Sequence, residues 1–230
     1  MKHIKPIVGI SLLLMVLFIN VSKAQMFGPA IKYGTGFTLL PSGESNFDNL
    51  RYLKGTHTSI DLEYTYYHDN RRYYSAGYWG FTTGIRYQKT RNVLFDIYNY
   101  KELEEVNHSI AIPALIANKR WAWQNGFKAG LIASYDYSQK RDGSFVWNTR
   151  PWHLDLYFSC GFDHRLTHRT DGWILPTELF MQYTLLDHIY RDNLPNHVRL
   201  LKVGIRIGIG FDYDYYHYRG HTRFKPKYNY

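Results

Sequence analysis

Cysteine is almost missing from this chain. Cys160 stands alone in 230 residues, so neither an internal disulfide nor a cysteine-built metal cluster can form. Long hydrophobic runs are also missing past the first two dozen residues, and mean hydropathy is -0.41. Together these exclude a bundle of membrane-spanning helices, each of which needs about 20 apolar residues in a row. Acid is short relative to base, with 19 Asp and Glu against 28 Lys and Arg and a formal charge of +9.

The one apolar run, Ile7 to Ile19, follows a basic start at Lys2, His3 and Lys5. Ser22-Lys23-Ala24 then places small residues where a signal peptidase cuts. Residues 1–24 are therefore expected to be a signal peptide, with Gln25 first in the mature chain. No cysteine adjoins the cut, so no lipoprotein anchor is expected. Losing Lys2, Lys5 and Lys23, and no acid, takes the charge from +9 to +6. An exported basic chain suits contact with anionic lipid or glycolipid, and nucleic acid is not an expected partner.

What the chain has in quantity is aromatic residues, 18% of the total with 22 tyrosines. The stretch Leu200 to Tyr215 shows how they are used. Leu201, Val203, Ile205, Ile207, Ile209 and Phe211 form one row, continued by Tyr213 and Tyr215. Lys202, Gly204, Arg206, Gly208, Gly210, Asp212 and Asp214 form the other. A strand sends successive side chains to opposite faces, so one face here is apolar and the other is charge and glycine. The run exceeds the usual five or six residues of a globular strand and matches the roughly 9–11 tilted residues that cross a bilayer. An apolar row ending in tyrosine fits a membrane interface.

Seven further segments carry the same pattern: 30–39, 59–67, 77–88, 108–117, 121–135, 153–163 and 173–185. Pro113 lies in the polar row of the fourth, where its missing donor predicts a bulge or weakened pairing. The breaks after the odd-numbered segments, 41–55, 89–107, 136–151 and 187–197, are the longer ones. Outer-membrane barrels have long extracellular loops and short periplasmic turns, so both termini are assigned to the periplasm. Aromatics then collect at the periplasmic ends (Tyr33, Tyr64, Tyr66, Trp79, Phe81, Trp121, Trp123, Trp173, Phe211), with Tyr87, Tyr135 and Tyr183 at the opposite ends. Cys160 falls in the apolar row. The fold expected is an all-β, eight-stranded antiparallel up-and-down transmembrane β-barrel over 25–215, followed by a basic aromatic tail, 216–230.

Polar rows pointing inward would carry Lys32, Asp61, Glu63, Arg86, Lys128, Asp155, Asp163, Glu178, Lys202, Arg206 and Asp212. An eight-stranded lumen is just filled by side chains, so these charges are expected to pair as a plug rather than line a pore. No catalytic, cofactor or metal site is expected. The candidates weighed for a surface lipid-modifying enzyme, His108 with Ser109 and His153 with Asp155, sit in no hydrolase motif, and neighbouring strand residues face opposite ways. His164 and His168, four apart in a turn, do not make a metal site. Basic residues crowd the assigned periplasmic side (Arg71, Arg72, Lys119, Arg120, Arg165, Arg169 and the tail) and could meet lipid headgroups or an acidic partner. The long loops could bind a ligand outside the cell.

Ser109-Ile110-Ala111-Ile112-Pro113-Ala114-Leu115-Ile116 and Gly126-Phe127-Lys128-Ala129-Gly130-Leu131 resemble strands of the small outer-membrane β-barrel domain family abundant in Bacteroidota, which includes PorT-like proteins. The resemblance covers most of 26–215. It implies an eight-stranded barrel in the outer membrane, usually without known activity. The role expected here is non-enzymatic, structural or accessory binding, with outer-membrane lipid and a possible periplasmic or outer-membrane protein as partners. An accessory subunit of a secretion or assembly complex is the alternative, and a lipid A-modifying enzyme a further one. The chain departs from the family at its end, where fifteen residues follow Tyr215.

Overall fold

The structure is a computed structural model. It describes residues 26–40, 46–47, 50–68, 78–119, 125–145, 151–166, 172–185 and 200–214. The expected signal peptide and tail, Trp121, Trp123 and His168 lie outside these residues.

Ten strands run in chain order: β1 Met26–Leu39, β2 Asn46–Phe47, β3 Leu50–His68, β4 Tyr78–Asp96, β5 Lys101–Lys119, β6 Asn125–Arg141, β7 Ser144–Phe145, β8 Trp152–Arg165, β9 Gly172–Thr184 and β10 Leu201–Asp214. Eight are long, and each pairs antiparallel with the next long strand. β1 pairs with both β3 and β10, which closes the ring and leaves no edge. The two-residue strands β2 and β7 only add to β3 and β6.

The stagger of the ring can be read from its register. Starting at Leu39, partners run Leu201, Tyr183, Leu156, Leu131, Ala114, Thr83 and Tyr64, and return to β1 at Pro29. The path comes back ten residues from where it began. An offset of about 33 Å around a circumference of about 38 Å tilts the strands by about 40°. Ten tilted residues then rise about 25 Å, the height of the apolar band of a transmembrane barrel.

Sidedness follows the alternation. Ile31, Phe37, Ile60, Ile85, Ile112, Leu179 and Ile207 are exposed on the outside, while Lys32, Asp61, Arg86, Glu178 and Arg206 are buried inside. In β10, Ile205 is 45% exposed and its neighbour Arg206 is fully buried. A water-soluble sandwich would invert this, so the outer wall is a lipid-facing surface. Cys160 is exposed among the outward residues. Outward aromatics form two belts. Trp79 packs edge-on against Phe127, and Trp173 against Phe211, at the lower end, with ring centroids 5.7 and 5.6 Å apart. Tyr135 lies against Trp152 at the upper end, 4.8 Å away. The eleven residues from Trp152 to Phe162 in β8 span the gap between the belts. Tyr33, expected in the lower belt, sits in mid-wall because β1 begins at Met26.

Several expected loops are strands. Residues 89–107 form a hairpin: β4 runs to Asp96, four residues turn, and β5 starts at Lys101. Asp96 caps that turn, accepting from the backbone N–H of Tyr98 and Asn99 at 3.0 and 3.1 Å. Leu50 to Gly55 belong to β3, and β6 continues to Arg141 before a two-residue turn at Asp142-Gly143, both at positive φ. The expected alternation of long and short breaks is therefore replaced by an alternation of strand overhang. The lower ends of the eight strands are level, but β3, β4, β5 and β6 stand above β8, β9, β10 and β1 by five residues or more. At about 2.5 Å per tilted residue, that flank rises more than 12 Å beyond the other.

Prolines leave local marks. At Pro113 the register with β4 is continuous but the ladder lapses at Gly84 and Ile85, so pairing weakens there without a bulge. The β5–β6 register shift lies at His108/Ser109 instead. Pro29 and Pro176 cause the same lapse, each toward β10. Each proline lacks the one donor that would bond that neighbour.

Candidate functional site

The lumen is occupied by charged side chains in tiers. In the middle, the ammonium groups of Lys32 and Lys128 each bridge the same two carboxylates. Lys32 Nζ is 2.7 Å from Glu63 and 2.6 Å from Glu178. Lys128 Nζ is 2.8 and 2.9 Å from the same pair. Arg86 links this square to the tier above through Glu63 at 3.1 Å and Asp61 at 2.9 Å. Arg206 approaches the other oxygen of Asp61 at 3.0 Å. Four cations thus face three carboxylates in this centre.

Aromatic rings complete the centre. Both guanidinium groups lie over Tyr157, 5.0 Å from its centroid for Arg86 and 4.9 Å for Arg206, and Arg206 also donates to the Tyr157 hydroxyl. Phe180 lies 4.1 Å from the Arg206 guanidinium on another side. Planar guanidinium stacks on rings where an ammonium could not, which fits arginine at these two positions. Ala111, Leu115 and Ile132 pack with Tyr157 and Phe180 into an apolar belt.

Above it, Lys202 lies 3.8 Å from Asp155 and donates to Gln88, and Gln182 donates to Asp155 and Gln88. His153 stands between Asp136 and Asp155, 3.6 Å from each. Here one lysine faces two carboxylates, which offsets the excess cation below. Below the centre, Lys119 bridges Asp163 and Asp212 at 2.7 and 2.6 Å over the ring of Tyr67, and Arg165 is 4.0 Å from Asp212. The inward cations and carboxylates of these tiers are equal in number. In the upper mouth, Leu94 and Leu200 pack with Leu40, Tyr52 and Leu103, and the Tyr52 hydroxyl donates to the Thr38 carbonyl at 2.7 Å. Ends of the low flank thus lean onto the inner face of the high one.

All eleven inward charges read from the sequence lie in these tiers. Two residues assigned to the basic periplasmic rim belong here as well. Lys119 is 4% exposed, and Arg165 points toward Asp212. Parity would have found both, since each continues the inward row of its strand, Leu115–Ala117–Lys119 in β5 and Gly161–Asp163–Arg165 in β8. His153, weighed as part of a surface catalytic pair, is buried in the lumen beside two acids. Ser134, its register partner, is fully buried too, so no water-borne or membrane substrate reaches this group. His108 faces outward and bonds the Tyr87 hydroxyl at 2.7 Å, while Ser109 is buried inside. His164 is exposed on the outer wall. Among the described residues no three His, Cys, Asp or Glu are placed to hold a metal ion.

Two solved outer-membrane barrels have a similar shape. One is the outer membrane protein OprG from Pseudomonas aeruginosa, with 12% identity and a TM-score of 0.48, over 83% of this chain and 97% of that one. The other is the translocator domain of the autotransporter NalP from Neisseria meningitidis, with 11% identity and a TM-score of 0.33, over 81% of this chain and 88% of that one. No family model matches the sequence, and no curated protein does.

Outside the lumen, charge among the described residues appears on the high flank. Arg91 pairs with Glu104 at 2.7 Å and Lys101 with Asp142 at 2.8 Å, all substantially exposed. The Lys101 ammonium and the Glu104 N–H both bond the Asp142 carboxyl and hold it below the usual carboxylate range. Such exposed pairs contribute little to stability.

Proposed function

We propose that this chain is a non-enzymatic barrel of the bacterial outer membrane, with a lumen sealed by ion pairs and a structural or accessory binding role carried by the wall that stands beyond the membrane. The observation that carries this reading is the central tier. Arg86, Arg206 and Asp61 are all fully buried and mutually paired. Moving an ion through this point requires breaking buried pairs, each break costing several kcal/mol. A polar path of that kind does not conduct at a useful rate. The buried His153 group and the outward, tyrosine-bonded His108 give no nucleophile with both a base and access, which supports a non-enzymatic role.

Two measurements test the reading. Membrane fractionation with heat-modifiable gel migration should place the folded chain in the outer-membrane fraction; recovery in the inner membrane or soluble fraction refutes the location. Reconstitution into planar bilayers should give no discrete current steps at moderate voltage. Stable single-channel steps from the wild-type chain refute the sealed lumen.

A further inference from the structure

The outer face of the high flank can be followed upward row by row across β3, β4, β5 and β6. The row Ile60–Tyr87–Ile110–Tyr135 is apolar and aromatic and climbs with the stagger from mid-wall at Ile60 to the upper belt at Tyr135. One outward step higher, about 5 Å along the axis, the row reads Thr58–Lys89–His108–Ser138. The next reads Thr56–Arg91–Val106–Lys140, and the one after reads Lys54–Val93–Glu104. Hydrocarbon-facing residues thus give way to cations and hydroxyls within two residues of strand.

Three features distinguish this patch from a merely solvated rim. First, Lys54, Lys89 and Lys140 have no carboxylate in salt-bridge reach among the described residues, whereas the arginine between them is held by Glu104. Second, Lys89 and Lys140 flank His108 on the sheet: Lys89 is its register partner on β4, and Lys140 on β6 pairs with Val106, two residues along β5. An anion shared between them would relieve the repulsion of like charges held on a rigid sheet. Third, the described part of the low flank stops at Leu39, Leu185, Leu201 and Trp152, at the height of the upper belt, so the patch is built on β3 to β6.

We propose that this patch binds the phosphate groups of a phosphorylated glycolipid of the lipid A class, with the acyl chains against Tyr87, Ile110 and Ile60 below. The proposal rests on the outer-membrane reading above and names a ligand for that surface. Height selects a lipid over a free anion: Lys89 lies one outward step above Tyr87 on β4, level with the belt at Tyr135, where a headgroup phosphate sits and its chains reach the apolar row below. Lys140 also lies 4.7 Å from the Phe145 ring, which holds its ammonium over the sheet.

The test uses the purified full chain in mild detergent and native mass spectrometry. Diphosphorylated lipid A is titrated against wild type, the triple variant K54Q/K89Q/K140Q and the control K101Q at the hairpin tip. The triple variant should bind at least about tenfold more weakly and the control unchanged. Dephosphorylated lipid A should bind wild type no better than phosphorylated lipid binds the triple variant. Unchanged affinity in the triple variant, or equal affinity for the two lipids, overturns the proposal. Displacement of the lipid by inorganic phosphate at equal concentration overturns it in favour of a free-anion site. Heat-modifiable migration reports folding, and if the triple variant does not assemble, K89Q carries the test with an expected loss of about threefold. Because binding is measured on isolated protein, its failure is distinct from a failure of the fractionation experiment.

Discussion

Ile205→Arg separates the lipid-facing reading of the wall from every water-soluble alternative, because the two give opposite answers. Ile205 sits in mid-wall, paired with Thr35 on one side and Leu179 on the other, about halfway between the two aromatic belts. It is 45% exposed. If that exposure is to water, replacing isoleucine by arginine there changes stability by about 0.5 kcal/mol or less. If it is to hydrocarbon, a guanidinium at the midplane costs about 2–4 kcal/mol, a factor of about 30 to 900 in the folding equilibrium. The matched control is Val93→Arg, on the outer face of β4 above the upper belt, where the expected cost is about 0–1 kcal/mol. The assay is urea unfolding and refolding in phospholipid vesicles followed by tryptophan fluorescence, comparing midpoints at a common slope. Equal, small changes at both positions would refute the assignment of hydrocarbon to the outer wall. A large loss at Val93 alone would invert it.

Asp61→Asn leaves Arg86 and Arg206 buried without their shared carboxylate, and should cost about 3–5 kcal/mol in the same vesicle assay; a loss under 1 kcal/mol would mean that the lumen is wetter than the packing implies. Gly36→Val should abolish assembly, since even a Cβ there would lie 2.1 Å from the Val203 carbonyl oxygen, and normal heat-modifiable migration of the variant would contradict the close β1–β10 approach. Cys160, the sole thiol, should react in vesicles with a lipophilic pyrene maleimide but not with a membrane-impermeant sulfonated one, and equal labelling by both would place it in water. Arg206→Ala should weaken the seal enough for brief current events in planar bilayers where wild type gives none, and a silent variant would move the barrier elsewhere in the lumen.

The membrane-embedded part of the barrel could be read directly from the sequence because one physical contrast runs through it. Hydrocarbon on one side and packed charge on the other force strict alternation, so Ile205 and Arg206 announce their faces without any coordinates. Beyond the upper belt that contrast ends. Lys89, Arg91, Val93 and Phe95 share the outer face of β4, while Thr90, Asn92 and Leu94 share the inner one. Both faces are mixed, so residues 89–107 look irregular although cross-strand pairing keeps them extended. The Asp142-Gly143 turn offered a local signal of a tight hairpin where a long loop was expected. Inside the lumen, parity identified which charges point inward but not which touch. The shared Asp61 between Arg86 and Arg206 depends on the ten-residue stagger, which no single strand encodes. Tyr157 and Phe180 were visible in the inward rows, but their contact with the two guanidinium groups arises only when β4, β8, β9 and β10 face one another across the closed ring.

The lapses at Pro29 and Pro176 both fall on the lower half of β10, one on each side of it. The last strand is therefore the least tethered at the end where the chain leaves the wall, while its upper half is zipped to both neighbours. The missing ladder bonds make this the loosest joint of the described wall, and it is where amide protons should exchange first.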